Sequence, residues 1–197
     1  MPQLSSRDPG PIAAALDCSS AWFGIIADGV HVHPLNHARY LDEIVVPNVA
    51  EGAHRAERAP AELQLIVPCF TVVGDTEEER SRWRDLARMQ VAFYGSTPNY
   101  AFIFDLVGAE GTTARLRERQ KVGDLAGMAA SIDDDLLAHF VVSATWDELS
   151  DAIIARYDGV AARVVLYFSG IAWSQDARTF ARMGEVARDV VKRTSAP

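Results

Sequence analysis

Apolar residues fall along this chain in two rhythms. Four stretches are apolar or alternate with a period of two: IAAAL (12–16), GVHVH (29–33), ELQLIVPCFTVV (62–73) and RVVLYF (163–168). Short runs of this kind, bounded by Gly, Pro and acidic residues, predict β-strands. Pro68 inside the third run predicts a bulge or bend. Between the strands, apolar positions recur at helical spacing. CSSAWFGIIADG predicts a helix capped by Ser19 or Ser20, with Gly29 just past its end. A second helix is expected from His37 to about Arg58, capped by Asn36 and kinked at Pro47, whose ring displaces the carbonyl of Glu43. Thr76 and Glu79 have capping-box spacing ahead of a helix reaching about Phe93, and TWDE (145–148) repeats that signal ahead of a helix ending at Tyr157. Ser174 is the expected cap of a last amphipathic helix, with Phe180, Met183, Ala187, Val190 and Val191 on its apolar side.

Strands that alternate with helices predict an α/β fold with a parallel sheet and helical crossovers. The organisation that follows is a polar tail over 1–11, a sheet-and-helix body over 12–75 and 160–197, and a helical insertion over 76–159 in which no strand is expected. With 197 residues, 49% apolar and 23% charged, the chain reads as one globular domain. A net charge of −8 and the lack of a long basic run argue against nucleic acid and anionic membranes as main partners. The two cysteines, Cys18 and Cys69, have neither metal-ligand nor redox spacing. No secretory leader and no membrane-spanning run are read, so a cytoplasmic location is expected.

Three of the five histidines lie in IIADGVHVHPLNHARYL, residues 25–41. On a strand, Val30 and Val32 face one way and Gly29, His31 and His33 the other, with His33 nearer the C-terminal end. That end is where parallel α/β sheets place ligands. An H-x-H pair on a strand suits a metal site only if later strands add ligands. The later strands here offer no inward His or Asp, so no metal is expected. Two readings remain open: polar lining of a cofactor or substrate pocket, and imidazoles that hydrogen-bond the loop around Asn36. The consecutive acids of IDDD (132–135) read as solvated charges at a helix start.

The segments ADGVHVHP, RYLDEIVVPNVAEG, VPCFTVVGDTEEE, AFYGSTPNY and IDDDLLAHFVV, in that order, resemble the luciferase-like monooxygenase superfamily, and within it the branch of oxidoreductases that use coenzyme F420. The resemblance covers about residues 12 to 170. It implies a TIM (β/α) barrel with a helical insertion before the last strand; this chain would supply a partial barrel of about four parallel strands, corresponding to the C-terminal half. A full barrel needs about 250 residues. The implied chemistry is hydride transfer to or from a small organic substrate, with F420 or FMN as cofactor.

The resemblance also implies site residues. Tyr94, Ser96 and Tyr100 would lie over the barrel mouth and join His31 and His33 in lining the pocket. The turn Asp17, Cys18, Ser19 and Ser20 would stand where the family holds the cofactor phosphate. Asp17 brings a carboxylate to that turn, so binding by this chain is expected to be weak; as a helix N-cap, Asp17 is explained without any ligand. A second reading, from another class, is a non-catalytic module that completes a barrel with a second chain or a second copy, drawn by open strand edges.

Overall fold

The computed structural model describes residues 28–195. In chain order, β1 (Gly29–His31) leads to α1, a continuous helix of three segments, Ala38–Tyr40, Leu41–Val45 and Val46–Arg55. Next come β2 (Gln64–Val73), α2 (Glu77–Gly95), α3 (Ala101–Asp105), α4 (Thr112–Lys121), α5 (Leu125–Ala130) and α6 (Asp134–Ala138). Then follow β3 (Val141–Ala144), α7 (Leu149–Tyr157), β4 (Arg163–Leu166), α8 (Ser169–Gln175) and α9 (Ala177–Thr194). The fold is a mostly helical α/β with an open sheet of parallel strands. The segment IAAAL, the helix expected after it and residues 17–20, expected to form a turn, lie outside the described residues.

β2 is the spine of the sheet. It pairs in parallel with β1 at its start (His31 opposite Ile66), with β4 in its middle (Ile66 opposite Arg163, Cys69 opposite Leu166) and with β3 at its end (Phe70 opposite Val141, Val73 opposite Ala144). Ile66 has a partner in both β1 and β4, so these two strands lie on opposite edges of β2. Pro68 introduces no break in β2. The carbonyl of Ile66 accepts from Val32 N–H, and that of Pro68, two residues on, points the same way. There β1 has ended, so no strand asks for the N–H that proline lacks. The Asn36 side-chain amide fills the place, donating to Pro68 O at 3.0 Å.

Segment 76–159 was expected to be helical throughout, and β3 corrects that. Only Val141 and Val142 mark this strand in the sequence, too few for a pattern. Its cause is non-local: β2 is ten residues long, and its last four need a ladder partner beyond the reach of β1 and β4.

The helix signals hold in outline, two caps move, and TWDE forms no side-chain cap: Thr145 Oγ1 donates to Glu148 Oε2 at 2.8 Å and α7 starts only at Leu149. Asn36 is engaged with Pro68, so α1 is capped one residue later, by His37 Nδ1, which accepts from Tyr40 N–H at 3.1 Å. The expected disturbance at Pro47 takes the form of the π-helical segment Leu41–Val45, where Val46 N–H bonds Leu41 O; the wider turn frees the carbonyl of Glu43 from the proline ring. Thr76 caps α2 by accepting from Glu79 N–H at 3.2 Å, while Glu79 reaches back to Asp75 N–H at 2.8 Å. Asp133 caps α6 by accepting from Leu136 N–H at 2.8 Å. α9 is capped by Asp176, which accepts from Arg178 N–H and Thr179 N–H, and not by Ser174, which lies inside the short α8. Of the expected apolar side of α9, Met183 is buried, while Phe180 and Val191 are exposed.

The core gathers on both faces of β2. Phe70 stacks on Phe168, and Phe168 on Trp83 of α2, with centroids 5.5 and 5.8 Å apart. Cys69, one residue earlier and therefore on the other face, meets Tyr157 of α7; burial pushes its thiol up to about 11. Among the described residues, no helix is long and apolar enough to cross a membrane.

Candidate active site

Alternation along β1 sets the site. Val30 and Val32 are buried, at 8% and 4% exposure, against the core. His31 and His33 share the opposite face and meet different surroundings. His31 is exposed, level with Ile66 and Arg163 at the start of the ladder. His33 lies just past the C-terminal end of β1 and is half-buried among aromatic rings. Its imidazole stacks on Tyr100, centroids 4.4 Å apart at 28°, and meets Tyr94 edge-on at 4.8 Å and 80°.

The hydrogen bonds fix the chemistry of this cluster. Leu35 N–H donates to His33 Nδ1 at 3.1 Å, which places the proton of a neutral ring on Nε2. Burial lowers the pKa of His33, so the neutral ring is the form present at neutral pH. The hydroxyls of Tyr94 and Tyr167 are 2.7 Å apart, and Gln90 Nε2 donates to Tyr167 Oη at 3.3 Å. Tyr167 extends β4 by one residue, its N–H donating to Cys69 O at 3.0 Å, and Phe70 packs edge-on against its ring. Burial first, and then the bond to Tyr94, raise the Tyr167 phenol to about 12; burial also raises that of Tyr100. The result is a set of neutral, flat, hydrogen-bonding side chains at the C-terminal end of the sheet.

The structure therefore brings together three of the five pocket residues expected from the sequence: His33, Tyr94 and Tyr100. His31 stands apart on the open sheet face, where Nδ1 lies 3.3 Å from Val32 O. Ser96 is buried at the end of α2 and its hydroxyl donates to Phe93 O at 2.8 Å, a helix-terminal role. Asp17, Cys18, Ser19 and Ser20 lie outside the described residues. Sequence reasoning missed Tyr167 and Gln90. Tyr167 was within reach, because it stands at the C-terminal end of the last strand, the position that singled out His33. Among the described residues, no three of His, Cys, Asp and Glu converge into a set that could hold a metal ion.

The cluster suits a planar heteroaromatic ring of the deazaflavin or flavin kind, which needs flat neighbours and neutral donors. What would hold the phosphate of such a cofactor is not among these side chains.

Comparisons with known proteins agree with this architecture. A coenzyme F420-dependent tetrahydromethanopterin reductase from Methanopyrus kandleri superimposes with a TM-score of 0.62 over 76% of this chain and 42% of its own, at 20% identity. That likeness shows a shared fold over the superimposed part. An uncharacterized protein of Mycobacterium tuberculosis and one of Mycobacterium bovis are each 31% identical over 157 residues, covering 80% of this chain and 46% of theirs. The chain thus spans less than half the length of these relatives. Residues 2–163 match the luciferase-like monooxygenase family, and the chain belongs to that family.

Proposed function

We propose that the chain is the oxidoreductase domain, or part of one, of a luciferase-like enzyme that takes reduced F420 or FMN and a small organic substrate at the C-terminal end of its sheet. The observation that carries this reading is the His33–Tyr94–Tyr100–Tyr167 cluster, placed where parallel α/β folds bind ligands. F420 comes first because the structural relative from Methanopyrus is a coenzyme F420-dependent reductase. Bound there, the cofactor would supply the hydride. The side chains of this chain would do the rest. His33 Nε2–H is a neutral donor aimed by the Leu35 bond, suited to a substrate carbonyl or a ring oxygen. The stacked faces of His33 and Tyr100 give a flat wall. Tyr94 and Tyr167 offer a hydrogen-bonded hydroxyl pair, and burial keeps the Tyr167 proton in place at neutral pH. A cytoplasmic location belongs to this proposal.

Binding is expected to be weak. The net charge of −8 sets a repulsive field against an anionic cofactor, and Asp17 adds a carboxylate at the turn matched to the phosphate. Fluorescence titration with F420 and with FMN, at two salt concentrations, tests the reading. Saturable binding that strengthens with salt and with Asp17→Asn, and weakens with His33→Ala, is the expected result. Absence of saturable binding of either cofactor, in the wild type and in Asp17→Asn alike, would sink it.

A second reading, an assembly module, is favoured by one specific feature. β4 pairs with β2 along one edge and, among the described residues, with no strand along the other; its Arg163 and Val165 are exposed on the face that carries His31. Such an edge recruits a further strand, and two copies could pair across a two-fold axis. Light scattering at micromolar concentration should then show a dimer that Val165→Lys weakens; a stable monomer with a cooperative melt counts against it.

A further inference from the structure

Away from the aromatic cluster, an open cleft of about 510 Å³ lies between the first turn of α1, the end of α3, the end of α6 and α7. It shares no lining residue with the cluster. Four of its lining side chains are basic by type, His37, Arg39, His139 and Arg156, and none is a carboxylate. In a protein with a net charge of −8 this is a local reversal of sign.

The two guanidiniums are held by the backbone. Arg156 donates through Nη1 to Val141 O at 2.8 Å and through Nη2 to His139 O. Its Nε is buried and, among the described residues, shows no hydrogen bond, while its guanidinium lies 5.8 Å from the centre of the Tyr157 ring. Among the described residues, no carboxylate forms an ion pair with Arg156. Arg39 donates through Nη1 to Leu106 O, and Glu43 takes its Nε at 2.6 Å from outside the cleft lining. Carbonyl acceptors fix where these cations point; Glu43 balances Arg39 from one side, and no carboxylate balances Arg156 among the described residues. A guanidinium without a carboxylate partner at the wall of an open cleft keeps its positive charge available to an anion there.

His37 reports on the same field. Its Nε2–H donates to Ile103 O at 3.0 Å, and its Nδ1 is taken by Tyr40 N–H, so the ring is locked neutral and adds no charge. Burial is the main cause that brings it down to about 4, and His139, Arg156 and Arg39 each push the same way.

We propose that this cleft binds a phosphate group, as inorganic phosphate or as a phosphate monoester of a small molecule, with Arg39 and Arg156 as its cationic contacts and His139 as a further donor. Guanidiniums already fixed in place lose little freedom when they meet a tetrahedral oxyanion, and charge-assisted bonds to phosphate are among the stronger polar contacts available. His139, exposed and without a side-chain hydrogen bond among the described residues, would close the open side of the cleft as a ring N–H donor.

Calorimetric titration of the full chain with inorganic phosphate, and separately with glycerol phosphate, tests this against chloride at equal ionic strength. Saturable binding near one per chain is expected, with movement of the His139 ring signals in the proton NMR spectrum and none at His54. Tighter binding of the ester would mark a phosphorylated small molecule as the natural ligand, tighter binding of the free ion would mark phosphate itself, and either supports the site. The surface variant Arg39→Gln with His139→Gln avoids the structural bonds of Arg156 and should weaken binding by about tenfold or more. No saturable binding of either probe beyond the chloride control, or equal binding by wild type and variant, would overturn the proposal.

Discussion

The Tyr94 and Tyr167 hydroxyls meet at 2.7 Å, joining the end of α2 to the end of β4 across the candidate site. One oxygen donates and the other accepts, and the acceptor keeps a free donor for a ligand. Tyr94→Phe should therefore act on Tyr167. Burial is the larger cause of its raised pKa and remains in the variant, while the hydrogen bond is lost. Ultraviolet titration of phenolate absorbance should show the Tyr167 transition move down from about 12 toward the ordinary tyrosine value without reaching it. The variant should lose about 1 kcal/mol of stability. An unchanged transition would mean that the bond does not form in solution.

His37 predicts how stability follows pH. Its pKa is depressed from 6.5 to about 4 in the folded chain, so between these values the unfolded chain binds more protons. The contribution of neutral His37 is present in full above about 6.5, declines as pH falls, and is gone below about 4. Urea midpoints measured across this window should fall with falling pH. His37→Ala should lower stability by roughly 2 kcal/mol at neutral pH, through the bonds to Ile103 O and Tyr40 N–H, and should flatten the slope. A wild-type slope retained in the variant would assign the pH dependence to other groups.

Much of this was legible in the sequence because the deciding forces were local. Thr76 and Glu79 announce the start of α2 by spacing alone, and the apolar run of β2 needs no partner to be recognised. The alternation of Val30 and Val32 against His31 and His33 also survives in the structure. What it could not separate was the two histidines. Both share a face, yet only His33 reaches the level of Tyr94 and Tyr100, while His31 stays beside Ile66 and Arg163, exposed among the described residues. The shifted caps have the same origin. Asn36 is a good cap by type, but Pro68 O, 32 residues away, competes for its amide. β3 is written mainly in the length of β2 and hardly in its own residues. Tyr94 and Tyr167 lie 73 residues apart, and no local pattern couples them.

Asn36 gives the sharpest link between fold and site. It is 2% exposed, and its Nδ2 donates to His33 O at 3.0 Å, Pro34 O at 3.2 Å and Pro68 O at 3.0 Å. One amide thus pins the loop after β1 to the middle of β2, and the same loop carries the Leu35 N–H that orients His33. Asn36→Ala removes the donor and leaves three carbonyls to share other partners, at about 2 kcal/mol. Asn36→Asp keeps the size but turns the donor into a buried acceptor facing those carbonyls. Its carboxyl should resist ionisation, so its folded pKa lies above the unfolded value. The sign follows: the aspartate variant is least hurt below the unfolded pKa of about 3.9, where it is protonated and can donate, and loses stability as pH rises through the folded pKa. At neutral pH it should be less stable than the alanine variant, by about 1 kcal/mol or more, and the gap should close as pH falls. Subtracting one variant from the other cancels the His37 slope, which both share. His33 ring signals should shift in both variants, because the loop that aims the imidazole is released. Equal stability of the two variants at every pH would show that Asn36 does not hold the loop through its amide.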